Sequence, residues 1–126
     1  MPAPVNMLTG TAEREDSTNA VAFGELIPTP GHVFNTAQTA TITALFVTEC
    51  RVSRSGNRLE VRITVDGDVA HPGVAVLTTN SRYETRCHLG FRTNVPAGRH
   101  TVTVEWRVSA GTGYVRNRSF TVWEVR

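Results

Sequence analysis

VPAGRHTVTVEWRVSAGTGYVRNRSFTVWEV, residues 95–125, is the stretch whose reading decides the fold. Pro96, Ala97 and Gly98 form a turn. After it Val102, Val104, Trp106 and Val108 alternate with Thr101, Thr103, Glu105 and Arg107, the period-two pattern of a strand with one buried face. Trp106 shares the valine side and is expected in the core. A Gly-rich reversal at residues 110–113 follows, and residues 114–125 return as a second strand, so the stretch predicts a hairpin able to seed a sheet. In this last strand Phe120 and Val122 lie on one parity while Trp123 and Val125 lie on the other, which makes it apolar on both faces.

The same alternation continues toward the N-terminus. Residues 81–92 put Tyr83, Thr85, Cys87, Leu89 and Phe91 on one side, expected inward, and Arg82, Glu84, Arg86, His88 and Arg92 on the other. Residues 74–78 read as a short apolar strand. Asp66-Gly67-Asp68 is a tight Asp-Gly turn, and before it Leu59, Val61, Ile63 and Val65 point in while Arg58, Glu60, Arg62 and Thr64 point out. Residues 38–52 form a long strand with Ile42, Ala44, Phe46 and Cys50 on one face and Leu45 and Val47 on the other, a pattern of a strand covered on both sides. Residues 32–35 give a short strand and 20–27 another, ended by Pro28 and Pro30. The tally is seven or eight strands at roughly ten-residue spacing without a substantial helix, the signature of an all-β antiparallel sandwich of jelly-roll type. Residues 1–19, polar and with Glu13, Glu15 and Asp16 clustered, read as an extended N-terminal arm that orders by lying on a neighbouring subunit; residues 20–126 form the sandwich domain.

The totals narrow the function. At 126 residues the chain has the length of one domain, and its 40% apolar and 19% charged residues match a globular protein without a membrane span. The N-terminus carries no basic segment leading into an apolar core, so a secretion signal is not expected. All thirteen basic residues are arginine, which reads as a GC-rich genome. A net charge of +2, with arginines alternating with acids along strands, gives a solvated sheet face and no nucleic-acid surface. Cys50 and Cys87 lie 37 residues apart without metal-ligand spacing. They read as two buried thiols, with a disulfide as the alternative.

Enzyme chemistry needs clustered groups, and none is legible. His32, His71, His88 and His100 are dispersed and expected at the surface, no Ser sits in a nucleophile elbow, and residues 111–113 lack the following helix of a phosphate loop. Asp66 and Asp68 offer too few oxygen donors for calcium. No metal, cofactor or catalytic residue is assigned.

Several segments carry a family likeness: Val65-Asp66-Gly67, the run from Val95 to Trp106, Gly111 to Tyr114, and Asn117 to Val122. Together they resemble a β-sandwich module of phage virion and actinobacterial proteins, over about half of the chain. The architecture is also similar to C1q/TNF-like jelly rolls, which close as trimers around an apolar face. The resemblance implies a non-enzymatic structural protein of a virus particle, a capsid decoration protein that assembles as a homotrimer on the shell. Its partners would be itself and the major capsid protein or another virion component. It would be assembled in the host cytoplasm and reside on the virion surface. Leu45, Val47, Trp123 and Val125 are the expected interface. The alternative is a carbohydrate-binding or adhesin module with Tyr114, Arg116 and Trp123 as the sugar platform.

Overall fold

The computed structural model describes residues 7–26 and 33–125, and within them the chain is all-β, built from two antiparallel sheets packed face to face. The first sheet contains β1 (Met7–Ala12), β2 (Asp16–Thr18), β5 (Ala40–Val52), β9 (Glu84–Val95) and β11 (Gly113–Val125), in the order β1-β11-β5-β9 with β2 also on β11. The second contains β3 (Gly24–Glu25), β4 (Val33–Thr36), β6 (Leu59–Val65), β7 (Asp68–Val69), β8 (Ala75–Thr78) and β10 (Gly98–Val108). In it β10 pairs with β3, β4 and β6, and β6 pairs with β7 and β8. Ile42, Ala44, Phe46, Phe120 and Val122 from the first sheet meet Val61, Ile63, Val102, Val104 and Trp106 from the second, all buried. Each large side chain so buried contributes about 1.5–3 kcal/mol through its area removed from water. The inward sides read for β5, β6 and β10 are those observed.

The Asp-Gly turn forms as read. Asp66 and Gly67 both have positive φ, 53° and 84°, the primed turn that joins two twisted antiparallel strands. Asp66 then does a second job: its carboxylate accepts from the Thr101 N–H at 2.9 Å and lies 2.6 Å from Nδ1 of His100, whose Nε2 is 2.7 Å from the Pro96 carbonyl oxygen. Burial works to raise the Asp66 pKa, but the bonds from His100 and Thr101 outweigh it and hold the carboxyl below its usual range. His100 is therefore 6% exposed and clasps the turn to β10, where the sequence placed it at the surface. His32 lies outside the described residues.

The deciding stretch folds differently from a hairpin. β10 belongs to the second sheet and β11 to the first, so residues 109–112 arch across the end of the sandwich. Both strands carry a largely apolar inner face, and two such faces bury more surface by facing each other across the core than by lying side by side. Gly113 gives Leu59 room beside the arch. A Cβ there would come within 2.8 Å of Leu59 Cδ1.

β9 reverses the expected sides. His88 and Gly90 point into the sandwich and Cys87, Leu89 and Phe91 point out. Gly90 fits the parity: a Cβ at this position would meet Ile63 at 3.1 Å and Ala70 at 3.5 Å, so a larger residue would crowd β9 against β6. Once Gly90 faces in, its neighbours must face out. It follows that Cys50 is buried and Cys87 exposed, on opposite sides of the first sheet, and both are free thiols.

The segment read as an arm lies, from Met7 onward, on its own sheet: β1 and β2 pair with β11. The pin is Arg118. Its side chain is 1% exposed and its Nη2 bonds Asp16 Oδ2 at 2.5 Å, while Nη1 donates to the Arg14 carbonyl. This arginine departs from the solvated sheet face expected of all thirteen. Of the strand read over residues 20–27, the described part keeps only β3; residue 27 and the prolines that follow lie outside the described residues.

Candidate functional site

The outer face of the first sheet falls into two ends, set by register. At one end Met7, Trp123, Thr43 and Phe91 form a row across β1, β11, β5 and β9; the next rows are Thr9-Thr121-Leu45-Leu89 and Thr11-Ser119-Val47-Cys87. Leu45, Val47 and Trp123 are half-buried by one another's company, whereas Met7 is 53%, Leu89 47%, Phe91 40% and Val125 50% exposed. A patch of contiguous apolar side chains of this kind on a sheet face is the usual mark of a contact surface. All four expected interface residues, Leu45, Val47, Trp123 and Val125, lie on this side. Leu89 and Phe91 were not singled out from the sequence, because the parity of β9 was read the other way, and Met7 was not because it fell in the segment read as an arm.

At the other end the face is aromatic and charged. Arg51 stacks over the Tyr114 ring at 4.0 Å and Arg116 over the Tyr83 ring at 3.7 Å, with Arg51 also 5.4 Å from Tyr83. Such contacts are each worth about 0.5–1 kcal/mol when exposed. Arg116 Nε and Asn117 Nδ2 both donate to Glu49 Oε1, at 2.9 and 2.8 Å, and these bonds, Asn117 first, hold the Glu49 carboxyl below its usual range. The Tyr83 hydroxyl donates to Glu15. Burial first and then this neighbouring carboxylate hold the phenol above its usual range. The stacked set is a tie between β2, β5, β11 and the loop before β9.

The sugar platform read from the sequence is not brought together. Tyr114 pairs with Arg51 and Trp123 with Thr43, eight residues apart along β5 and so about 27 Å. Tyr114 and Arg116 do sit together, but a guanidinium already occupies the ring of Tyr114.

A groove of about 340 Å³ runs between β8 and β9 past Thr78, Asn80, Glu84 and Arg86. Glu84 accepts from Asn80 at 2.6 Å and Thr78 at 3.1 Å and pairs with Arg86 at 2.9 Å, so its carboxylate is engaged, and these bonds lower its pKa. His88 is 7% exposed with no hydrogen-bond partner for Nε2. Burial is the main effect on it and lowers its pKa, against a smaller opposing bond to the Gly73 backbone. The Cys50 thiol is pushed up to about 12 by burial, so it carries no nucleophilic thiolate at neutral pH. No group of three or more metal-ligating side chains occurs among the described residues.

No protein-family model matches the chain, and no curated protein sequence matches it. Solved structures do share the fold. The VP2 subviral particle of infectious bursal disease virus matches with a TM-score of 0.61 and 14% identity over 94% of this chain and 32% of VP2. Dimeric latent PorU from Porphyromonas gingivalis matches at 0.60 and 11% over 97% of this chain and 13% of PorU. A family GH115 4-O-methyl-α-glucuronidase matches at 0.55 and 10% over all of this chain and 18% of the enzyme. The chain thus spans a third or less of these proteins. At such identities the likeness is one of fold, and a fold shared by a capsid protein and a glycosidase does not fix function.

Proposed function

We propose that this protein is a non-enzymatic structural component of a virus particle, a shell-decorating protein that assembles as a homotrimer. The observation that carries the reading is the apolar end of the first sheet's outer face, where Leu45, Leu89, Phe91 and Trp123 stand together on a regular, two-layer scaffold. A fold recurring in the VP2 capsid protein supports it at the level of architecture. Flat faces of this kind act by excluding water against a second flat face, with aromatic side chains supplying most of the energy. On this reading the apolar end packs on neighbouring copies, the charged and stacked end stays wet, and the assembly sits on the virion surface against the major capsid protein. Nothing in the proposal requires a nucleic acid, a membrane or a cofactor.

Light scattering on the purified chain tests the oligomer, and co-sedimentation with empty shells of the phage that encodes it tests the partner. The expected results are a mass in whole multiples of three chains and a saturable occupancy of the shells. A monodisperse single chain that leaves the shells bare would retire the proposal.

A further inference from the structure

The first sheet ends on β9, and that edge is unusually open. Natural sandwiches blunt their edges with short strands, prolines, bulges or lysines, and the second sheet follows this rule with β3, β7 and β8 of two to four residues. β9 has twelve residues and no proline, and Glu84, Arg86 and Arg92 are its charged positions. Its pairing with β5 is regular from Glu84 to Arg92.

The polarity of the edge follows from one bridge. Phe91 exchanges both backbone bonds with His71, each 2.9 Å, so the N–H and C=O of Phe91 point away from β5. Backbone groups alternate sides along a strand. Those of Leu89, Cys87 and Thr85 therefore point the same way, and no described group bonds them. Beside them the strand borders the open groove under β8.

We propose that this edge pairs with the same edge of a second copy, antiparallel and about a two-fold axis at Cys87. Register selects the axis. The free segment has three outward-bonding residues centred on Cys87, and only a two-fold there pairs all three: Thr85 with Leu89 of the second copy, Cys87 with its equivalent, Leu89 with Thr85. Moving the axis to Arg86 puts two guanidiniums directly opposite one another, which is unfavourable, and leaves Leu89 unpaired. Moving it to His88 leaves Thr85 unpaired. With the axis at Cys87, Arg86 faces His88 and Glu84 faces Gly90. The two sheets become one, and the apolar outer face continues across the seam through Leu89 of each copy. An isologous contact of this sort closes on itself and forms no fibre. The edge adjoins the face used in the proposed function at Leu89, and neither contact needs the other.

The geometry supplies its own reporter. Directly opposed residues that exchange backbone bonds have Cα atoms about 5.5 Å apart, within the range a disulfide spans. Diamide, which takes up the two electrons and two protons released when two thiols join, should convert the full-length chain to a covalent dimer on non-reducing electrophoresis. Cys50→Ser should leave that product unchanged and Cys87→Ser should abolish it. Two double variants read the register. Thr85→Lys with Leu89→Lys places ammonium groups opposite each other at both ends of the seam and should slow cross-linking roughly tenfold; Thr85→Lys with Leu89→Glu places opposite charges there and should restore it. Both substitutions are on the solvent side of β9 and spare the core. Trp123→Arg, which acts on the face, should leave the cross-link intact. If the wild-type chain gives no covalent dimer while Cys87 reacts readily with a soluble thiol reagent, or if the two double variants cross-link at equal rates, the pairing is wrong.

Discussion

The two outer faces of the sandwich are finished in opposite ways. On the second sheet the exposed positions of β6 and β10 are matched across the strands: Arg62 bonds Glu105 at 2.6 Å, Arg107 bonds Glu60 at 3.1 Å, and Thr64 meets Thr103. The ring of Phe23 lies over both guanidiniums, 4.1 and 4.2 Å from them. The outward charged side chains of β6 and the middle of β10 thus have their partners within the chain. On the first sheet the corresponding positions carry Leu45 beside Leu89, and Thr43 between Trp123 and Phe91, a surface that water serves badly. One face is paired up within the chain, and the other leaves Met7, Leu89 and Phe91 half-exposed. A sandwich needs only its inner faces to fold, so the outer ones are free to differ, and the proposed function rests on that difference.

The comparison breaks most visibly at its apolar side. Leu45→Glu with Trp123→Glu should reduce the light-scattering mass threefold while the circular dichroism spectrum stays that of a β-sandwich; an unchanged mass would remove the apolar face from the assembly. Next comes Gly90→Val, which tests what decides which side of β9 faces out. Its side chain must enter space held by Ile63 and Ala70, and overpacking of this kind costs about 1–3 kcal/mol, read as a lower urea midpoint. A midpoint equal to wild type would mean that Gly90 does not set the parity.

Acid sharpens the contrast between the inside of β9 and its outside. Burial lowers the pKa of His88 in the folded state, so the unfolded chain binds its proton more readily. The stability contributed by keeping His88 neutral is full above an unfolded pKa of about 6.5 and is lost as pH falls below it. Urea midpoints should therefore decline between pH 7.5 and 5, and His88→Leu should flatten that decline. Asp16 and Asp66, both held below their usual range, add to the loss only below about pH 4. A decline unaltered in His88→Leu would place the acid sensitivity elsewhere. The smallest effect is expected on the finished face: Arg62→Ala should cost no more than about 1 kcal/mol, as partly exposed ion pairs do, and leave the mass unchanged.

Much of the fold was legible because a period of two is imposed by the strand itself. The inward sides of β5, β6 and β10 and the Asp66-Gly67 turn follow from local pattern and from the few residues that tolerate positive φ. β9 was misread because it is apolar enough on both sides to permit either assignment, and the signal that resolves it is a glycine. A glycine inside a strand marks the close approach of another element, and Gly90 read in that way turns Leu89 and Phe91 outward. For the stacked tyrosines there was no such signal: Tyr83 meets Arg116, and Tyr114 meets Arg51, across distances in sequence that no local rule connects. Arg118 is the same case. Its partner Asp16 is a hundred residues away, and its burial comes from the bulge between Arg116 and Ser119 that turns it inward.

The sequence alone determined that the chain is all-β, where most of its strands lie and which sides of three of them are buried, because alternation of side chains is a property of each strand by itself. Only the tertiary structure decided that residues 109–112 arch between sheets, that the N-terminal segment lies on its own β11, and that one outer face is satisfied while the other is apolar. Those outcomes depend on which strands become neighbours. Pairing is chosen by burial and hydrogen bonding summed over the whole sandwich, and no single stretch contains that sum.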